Sequence, residues 1–365
     1  MDLPEKPEGK LRTGFTTGTC ATASSKAALL AIIKQDNISD VDVLLPKRDR
    51  IKIKINTCEF SKNNAKCSVI KDGGDDPDVT HGAEIFVDLS LTNKINSVEI
   101  DGGVGVGRVT KPGLGLEVGS AAINPTPKKM ILENIDEVAG EILKQNGIKI
   151  IISVPKGEEL AKKTDNPRIG IMNGISILGT SGIVIPYSTA SFAAAIRQQI
   201  DVVASMNDDE VVLTTGGRSE DLARKIIELP DHSFIQMGDF SGYTIQQCAK
   251  KGLKKAHVAG FIGKLAKMAA GVKQTHVKGS KVNMKFLSEI AKNCGATSNT
   301  VEKILGANTA RNVQEIILED NVKGFFDEIA KKTCLEMRKH SEEKIPVEVL
   351  LFDFDGSILS KYEQT

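Results

Sequence analysis

The chain has 365 residues, of which 40% are hydrophobic and 26% charged, a composition that buries cores of useful size and excludes a disordered or fibrous protein. Forty-eight basic against 47 acidic side chains leave a formal net charge of +1, so no global field draws in nucleic acid or an anionic membrane. With no Trp and 4% aromatics, stacking platforms for single strands are not expected.

At roughly 150 residues per domain, one packed core is too few for this length. The six cysteines (Cys20, Cys58, Cys67, Cys248, Cys294 and Cys334) are scattered without a C-x-x-C pair or zinc spacing and are read as reduced thiols of a cytoplasmic protein. MDLPEKPEGKLR alternates charge and proline where a secretory segment needs an apolar run.

In chain order, Gly14-Phe15-Thr16-Thr17-Gly18-Thr19 leads into CATASSKAALLAIIKQ, an alanine-rich helix suited to close packing on a sheet, with Thr17 or Thr19 as N-cap. VDVLL and IKIKIN alternate with period two around a PKRDR turn, EIFVDLSL repeats the alternation, and SVEI precedes a glycine run. Residues 1–125 are thus expected to form an α+β domain.

Asn124-Pro125-Thr126-Pro127 marks a change of character. Thr126 as cap and Pro127 as first helical residue open KKMILENIDEVAGEILKQ, which Gly147 ends. Short apolar strands then alternate with helices: IKIIISV, GISILG, VVLTT, SFIQM and KAHVAG. The last three each feed a glycine-bearing turn and a helix, so residues 126–365 are expected to form an α/β Rossmann-like domain with a mostly parallel sheet. PVEVLLFDFDG reads as a final strand.

Ligands of such a sheet sit beyond the carboxyl ends of its strands. Three ends are visible, at Thr215-Gly216-Gly217-Arg218, Gly238-Asp239-Phe240 and Gly260-Phe261-Ile262-Gly263-Lys264. Asp239 follows Gly217 by 22 positions (239 − 217), close to the offset of about 20 at which an acid takes ribose hydroxyls. Thr215, Gly216, Gly217, Asp239, Gly260 and Gly263 are therefore candidates for an adenosine-containing ligand. Glycines serving tight turns are the alternative.

The run Gly102–Gly107 is no dinucleotide fingerprint, because Pro112 and Gly113 prevent a helix after it. It is a flexible loop near a bulky ligand or a hairpin needing positive φ. Lys71-Asp72-Gly73-Gly74-Asp75-Asp76-Pro77-Asp78-Val79-Thr80-His81-Gly82 crowds carboxylates. Such crowding raises carboxyl pKa values and tunes a general base, which points to Asp75 and Asp76. Asx-turn chemistry on a solvated loop is the alternative. His276 is the other candidate base, whereas His257, in an apolar strand, belongs to the core. Cations flank these loops: Arg12, Lys111, Lys128, Lys129, Arg168, Arg218, Lys264 and Lys267. They suit a polycarboxylate or phosphate ligand.

Taken together, LRTGFTTGTCATAS, KDGGDDPDVTHG, GVGVGRVTKPGL, AINPTPKKMI, GISILGTSGIV and GFIGKLAKMAAG followed by TH resemble the CbiD proteins, cobalt-precorrin-5B C1-methyltransferases of anaerobic cobalamin biosynthesis. The resemblance runs from about Leu11 to His276, and the last 80 or so residues are read as fold rather than site. It implies methyl transfer from S-adenosylmethionine to carbon 1 of a cobalt-bound tetrapyrrole, giving cobalt-precorrin-6A. The cobalt arrives in the substrate, so no protein-held metal is implied. Acetate and propionate groups on the rim of the tetrapyrrole would account for the basic residues, with Arg12, Thr16, Thr17, Gly105, Lys111 and Lys264 as candidates to hold it. The implied partners are this small molecule, with a second copy of the chain or neighbouring pathway enzymes in transient contact. A corrinoid-binding carrier without chemistry and a dinucleotide-dependent oxidoreductase are the alternatives.

Overall fold

The structure, a computed structural model, describes residues 7, 9–276 and 279–364. Most of the charged, proline-bearing N-terminus read against a secretory segment lies outside the described residues. The chain divides between Ser188 and Thr189 into two compact units.

The first unit contains β1 (Gly14–Phe15), α1 (Thr17–Lys34), β2 (Asp40–Leu44), β3 (Arg50–Lys54), β4 (Thr57–Phe60), β5 (Asn64–Ile70), β6 (Glu84–Thr92) and β7 (Val98–Gly102). There follow β8 (Arg108–Val109), α2 (Pro125–Gln145), β9 (Gly147–Ser153), α3 (Gly157–Ala161), β10 (Ile171–Met172) and β11 (Ile183–Val184). The alternating segments form strands as their period requires: β2 and β3 pair antiparallel around the PKRDR turn, and β6 buries Ile85, Val87 and Leu89 on one face. The main sheet has the order β4-β5-β6-β9-β7. Helix α1 is buried on nearly every side from Thr17 to Leu29, which its alanines and serines allow by letting the backbone approach its neighbours.

This arrangement moves the expected boundary from 125/126 to 188/189. Strand β9 is antiparallel to β6 and parallel to β7, so α2 is the crossover that a parallel β7–β9 pair requires. Helix α2 and β9 therefore complete the first unit. Its α1 cap is Thr16, whose Oγ1 accepts from the Thr19 N–H at 3.2 Å, rather than Thr17 or Thr19. Asn124 occupies the α2 cap position and Pro125 its first turn, a helix start two residues before the expected Pro127. GISILG forms isolated bridges through Ile175 and Ile177, not a strand.

The second unit contains α4 (Thr189–Ser205), β12 (Glu210–Thr214), α5 (Gly217–Ala223), β13 (Phe234–Gln236), α6 (Ser241–Lys250), β14 (Lys255–Phe261) and α7 (Ile262–Ala269). Helices α8 (Met284–Asn293), α9 (Ser298–Leu305), α10 (Ala310–Glu319) and α11 (Phe325–His340) precede β15 (Val347–Phe352) and β16 (Ile358–Gln364). The sheet order is β13-β12-β14-β15-β16, parallel except for the β15–β16 pair. The tail read as one strand is thus a hairpin. Strand β15 is buried at every residue, as a strand covered on both faces must be.

From β12 the chain runs to β13 on one side and then to β14 on the other. The sheet order consequently reverses direction at β12, the position where open α/β sheets bind ligands beyond their carboxyl ends. At the opposite ends His257 is buried, as expected. Its Nδ1 lies 2.7 Å from Glu348 Oε2 and its Nε2 lies 2.8 Å from Glu210 Oε2.

Candidate functional site

In the first unit the acidic loop follows β5. Lys71, 2% exposed, pairs with Asp78 Oδ2 at 2.5 Å. The Arg12 guanidinium engages both carboxylate oxygens of Asp72. The Arg12 backbone N–H donates to Asp75 Oδ2 at 2.6 Å, and the Asp75 N–H returns to the Arg12 carbonyl at 3.0 Å. Asp76 Oδ1 accepts from the Tyr187 N–H at 2.8 Å.

At Asp72 and Asp78 the cationic partners reverse the expected electrostatics. The hydrogen bonds from Arg12 hold the Asp72 carboxyl below its ordinary range against partial burial. Burial pushes the Asp78 carboxyl up, but the charge and hydrogen bond of Lys71, helped by Thr80, bring it below its ordinary value. Cations facing these carboxylates, one of them distant in sequence, outweigh crowding within the motif. The Asx-turn bonds are present as well, from the Gly74 N–H to Asp72 Oδ1 at 2.9 Å and the Thr80 N–H to Asp78 Oδ1 at 2.7 Å.

The glycine run uses the expected positive φ but forms no hairpin, since β7 pairs with β9 and β8 with β10. Gly105 has φ +71°, and a Cβ there would lie 1.9 Å from the Val154 carbonyl oxygen. Cβ atoms on Gly157 and Gly174 would lie 2.0 and 2.3 Å from the Gly105 carbonyl oxygen. Three backbone segments cross at van der Waals limits, and only glycine fits. The nearby threonines are also occupied within the unit: Thr17 Oγ1 accepts from the Leu178 N–H at 2.9 Å, and Thr16 caps α1. Lys111 Nζ donates to the Arg168 carbonyl at 3.3 Å.

In the second unit, side chains gather at the carboxyl ends of β12, β13 and β14. Lys264 Nζ donates to the Thr215 carbonyl at 2.8 Å and stands 3.3 Å from Asp239 Oδ1. The Thr275 hydroxyl donates to the same Oδ1 at 3.0 Å. Lys267 Nζ donates to the Thr275 carbonyl at 2.8 Å. Lys264 therefore sits with the candidate adenosine residues, and the pair Thr275-His276 contributes its threonine to Asp239. His276 is exposed, and its carbonyl accepts from the Gly279 and Ser280 N–H groups.

The glycines of these turns divide by what surrounds them. Gly260 is required by packing, since a Cβ would lie 2.8 Å from Thr215 Cγ2. The Gly216 N–H is taken by Ser219 Oγ at 3.1 Å. A Cβ on Gly217 would meet only Gln236 Nε2, at 3.8 Å, and one on Gly263 would meet nothing within 4 Å. Gly217 and Gly263 thus leave open backbone at the starts of α5 and α7, where a ligand can approach closely. That space and the acceptor on Asp239 fit an adenosine-containing group.

A reversing α/β sheet with charged groups and open glycines at its strand ends defines a ligand-binding protein of mixed α/β architecture. The chain belongs to the CbiD family: the family described as CbiD matches residues 4–186, and its C-terminal domain matches residues 274–363. The match to the C-terminal domain extends the resemblance through the tail, beyond the expected limit at His276. A Priestia megaterium protein named cobalt-precorrin-5B C(1)-methyltransferase is 46% identical, covering 100% of this chain and 99% of that one. A Geobacillus kaustophilus protein of the same name is 44% identical over 97% of this chain and 95% of its own length. The crystal structure of a cobalamin biosynthesis protein (cbiD) from Archaeoglobus fulgidus is 26% identical, with a TM-score of 0.38 over 87% of this chain and 88% of that one. Among the described residues no helix is long and apolar enough to cross a membrane.

Proposed function

We propose that the chain is a C-methyltransferase that methylates carbon 1 of cobalt-precorrin-5B, giving cobalt-precorrin-6A, with S-adenosylmethionine as donor. The observation that carries this is 46% identity, across the whole length of both chains, to a protein of that name. The donor supplies a methyl group on cationic sulfur, so the carbon–sulfur bond breaks toward sulfur as the carbon–carbon bond forms.

The donor is held at the carboxyl ends of β12, β13 and β14. Asp239 Oδ1 is fixed by Thr275 and Lys264, which leaves Oδ2 to accept from a ribose hydroxyl. Open backbone at Gly217 and Gly263 lets the nucleoside lie close, while Thr215, Gly216 and Gly260 shape the turns. In the first unit, Asp75 and Asp76 carry any proton removal that enriches carbon 1, and His276 is the corresponding base in the second. Arg12 and Lys111 are the first unit's cations for the carboxylate rim of the substrate, on a scaffold that Thr16, Thr17 and Gly105 keep rigid. For the chain's own residues the task is mainly alignment and exclusion of water.

Anaerobic incubation with cobalt-precorrin-5B and methyl-labelled S-adenosylmethionine tests the proposal. A gain of one labelled methyl at carbon 1 is expected. No transfer, with the substrate shown competent by another enzyme, would overturn it.

A further inference from the structure

Lys267 is 6% exposed and lies one turn after Lys264 on α7. A lysine ammonium carries three donors; that of Lys267 has one acceptor among the described residues, the neutral Thr275 carbonyl at 2.8 Å. Lys264 reaches the same strand ends through Thr215 and Asp239. The charges acting on Lys267 are Asp239, which favours the ammonium, and Lys264, which opposes it. Both are secondary to burial, and the net effect holds the amine below its ordinary value. Two cations against one carboxylate leave a local charge of +1 (2 − 1). The fold does not call for a lysine here, since an apolar side chain of the same length would fill the position without the desolvation penalty. Buried ammonium, spare donors and uncompensated positive charge at a ligand-binding strand end all ask for an anion.

We infer that Lys267, together with Lys264, holds a ligand carboxylate at the carboxyl ends of β12 and β13. The inference rests on the methyl-transfer reading, whose two reactants both carry that chemistry. One source is the aminocarboxylate of the donor, and the other is the acetate and propionate rim of the tetrapyrrole.

The test compares the wild-type chain with Lys267→Met and Lys267→Arg. Calorimetry measures S-adenosylhomocysteine against 5′-methylthioadenosine, which lacks the aminocarboxylate, and steady-state assays measure KM for cobalt-precorrin-5B. If the donor supplies the carboxylate, Lys267→Met weakens S-adenosylhomocysteine at least tenfold, leaves methylthioadenosine unchanged, and is partly rescued by Lys267→Arg. If the rim supplies it, nucleoside affinities hold and KM for the tetrapyrrole rises at least tenfold with kcat retained. Either result supports the site. Unchanged affinities and KM in a variant with wild-type melting would overturn it and leave Lys267 a carbonyl-capping residue. Should Lys267→Met not fold, Lys267→Gln, which keeps a polar group beside the Thr275 carbonyl without the charge, is read by the same criteria. A wild-type chain that transfers no labelled methyl refutes the methyltransferase reading itself, whereas a wild type that transfers beside indifferent variants refutes the lysine assignment alone.

Discussion

Thr275 grips Asp239 twice: its backbone N–H donates to the Asp239 carbonyl at 2.9 Å and its hydroxyl to the carboxylate at 3.0 Å. The first bond fixes the chain and the second fixes the side chain. Thr275 is 1% exposed, so Thr275→Val fills the same volume and keeps the backbone bond. Losing the hydroxyl bond is worth about 1 kcal/mol, and that appears as a donor affinity about fivefold weaker if Asp239 serves the donor. Calorimetry with S-adenosylhomocysteine reads it. Unchanged affinity, with melting also unchanged, would detach Asp239 from the donor site.

The pair of buried Lys71 and half-buried Asp78 sets an acid limit on the first unit. Asp78 is held below its ordinary value in the folded state. Its contribution is therefore fully present above the unfolded Asp value of about 3.9 and is lost as pH falls through the folded value. Asp78→Asn leaves Lys71 buried without a counter-charge, a defect of about 3–5 kcal/mol. Melting is expected to fall by roughly 10 °C at pH 7 and to lose much of its dependence on acid below about pH 4. A variant that melts like the wild type at pH 7 would show that the pair contributes no stability.

Two glycines separate fold from site. Gly105→Ala forces a Cβ to within 1.9 Å of a backbone oxygen at a positive φ, and soluble, folded protein is not expected from it. Gly263→Ala meets open space in the first turn of α7, where alanine stabilises a helix by about 0.5–1 kcal/mol. Melting should hold or rise while donor affinity drops, because the added methyl occupies the surface on which the nucleoside is proposed to lie. Wild-type affinity in Gly263→Ala would remove α7 from that surface.

Local pattern located the strands that end at the candidate donor site. β12, β13 and β14 are short apolar runs, each feeding a turn into a helix, and neither pairing nor distant contacts are needed to see them. Pattern failed where a distant partner decides. IKIIIS at β9 looks like any buried strand, and only its pairing with β6 and β7 assigns it to the first unit. Asp72 and Asp78 look like carboxyls raised by crowding until Arg12 and Lys71 are seen facing them. Gly105 reads as freedom in the sequence and is the opposite in the fold, a point where three backbones leave no room. Lys267 is one of eight cations that flank the candidate loops in the sequence, and burial alone sets it apart.

Asp76 can act as an anchor, a base or both, and the chemistry of two substitutions separates these roles. Its Oδ1 accepts from the Tyr187 N–H at 2.8 Å across 111 positions of chain. Tyr187 itself stands at φ +55°, a conformation a bulky residue keeps only when its surroundings hold it. Asparagine retains a carbonyl oxygen for that bond and removes the carboxylate, whereas alanine removes both. If the carboxylate takes a proton during methyl transfer, Asp76→Asn lowers kcat about 100-fold, with donor affinity and melting unchanged. Asp76→Ala shows the same loss and melts a few degrees lower, for a hydrogen bond worth about 1 kcal/mol. An asparagine variant with wild-type kcat beside a less stable alanine variant would reduce Asp76 to the anchor of Tyr187 and leave Asp75 and His276 as the proton acceptors to be tested.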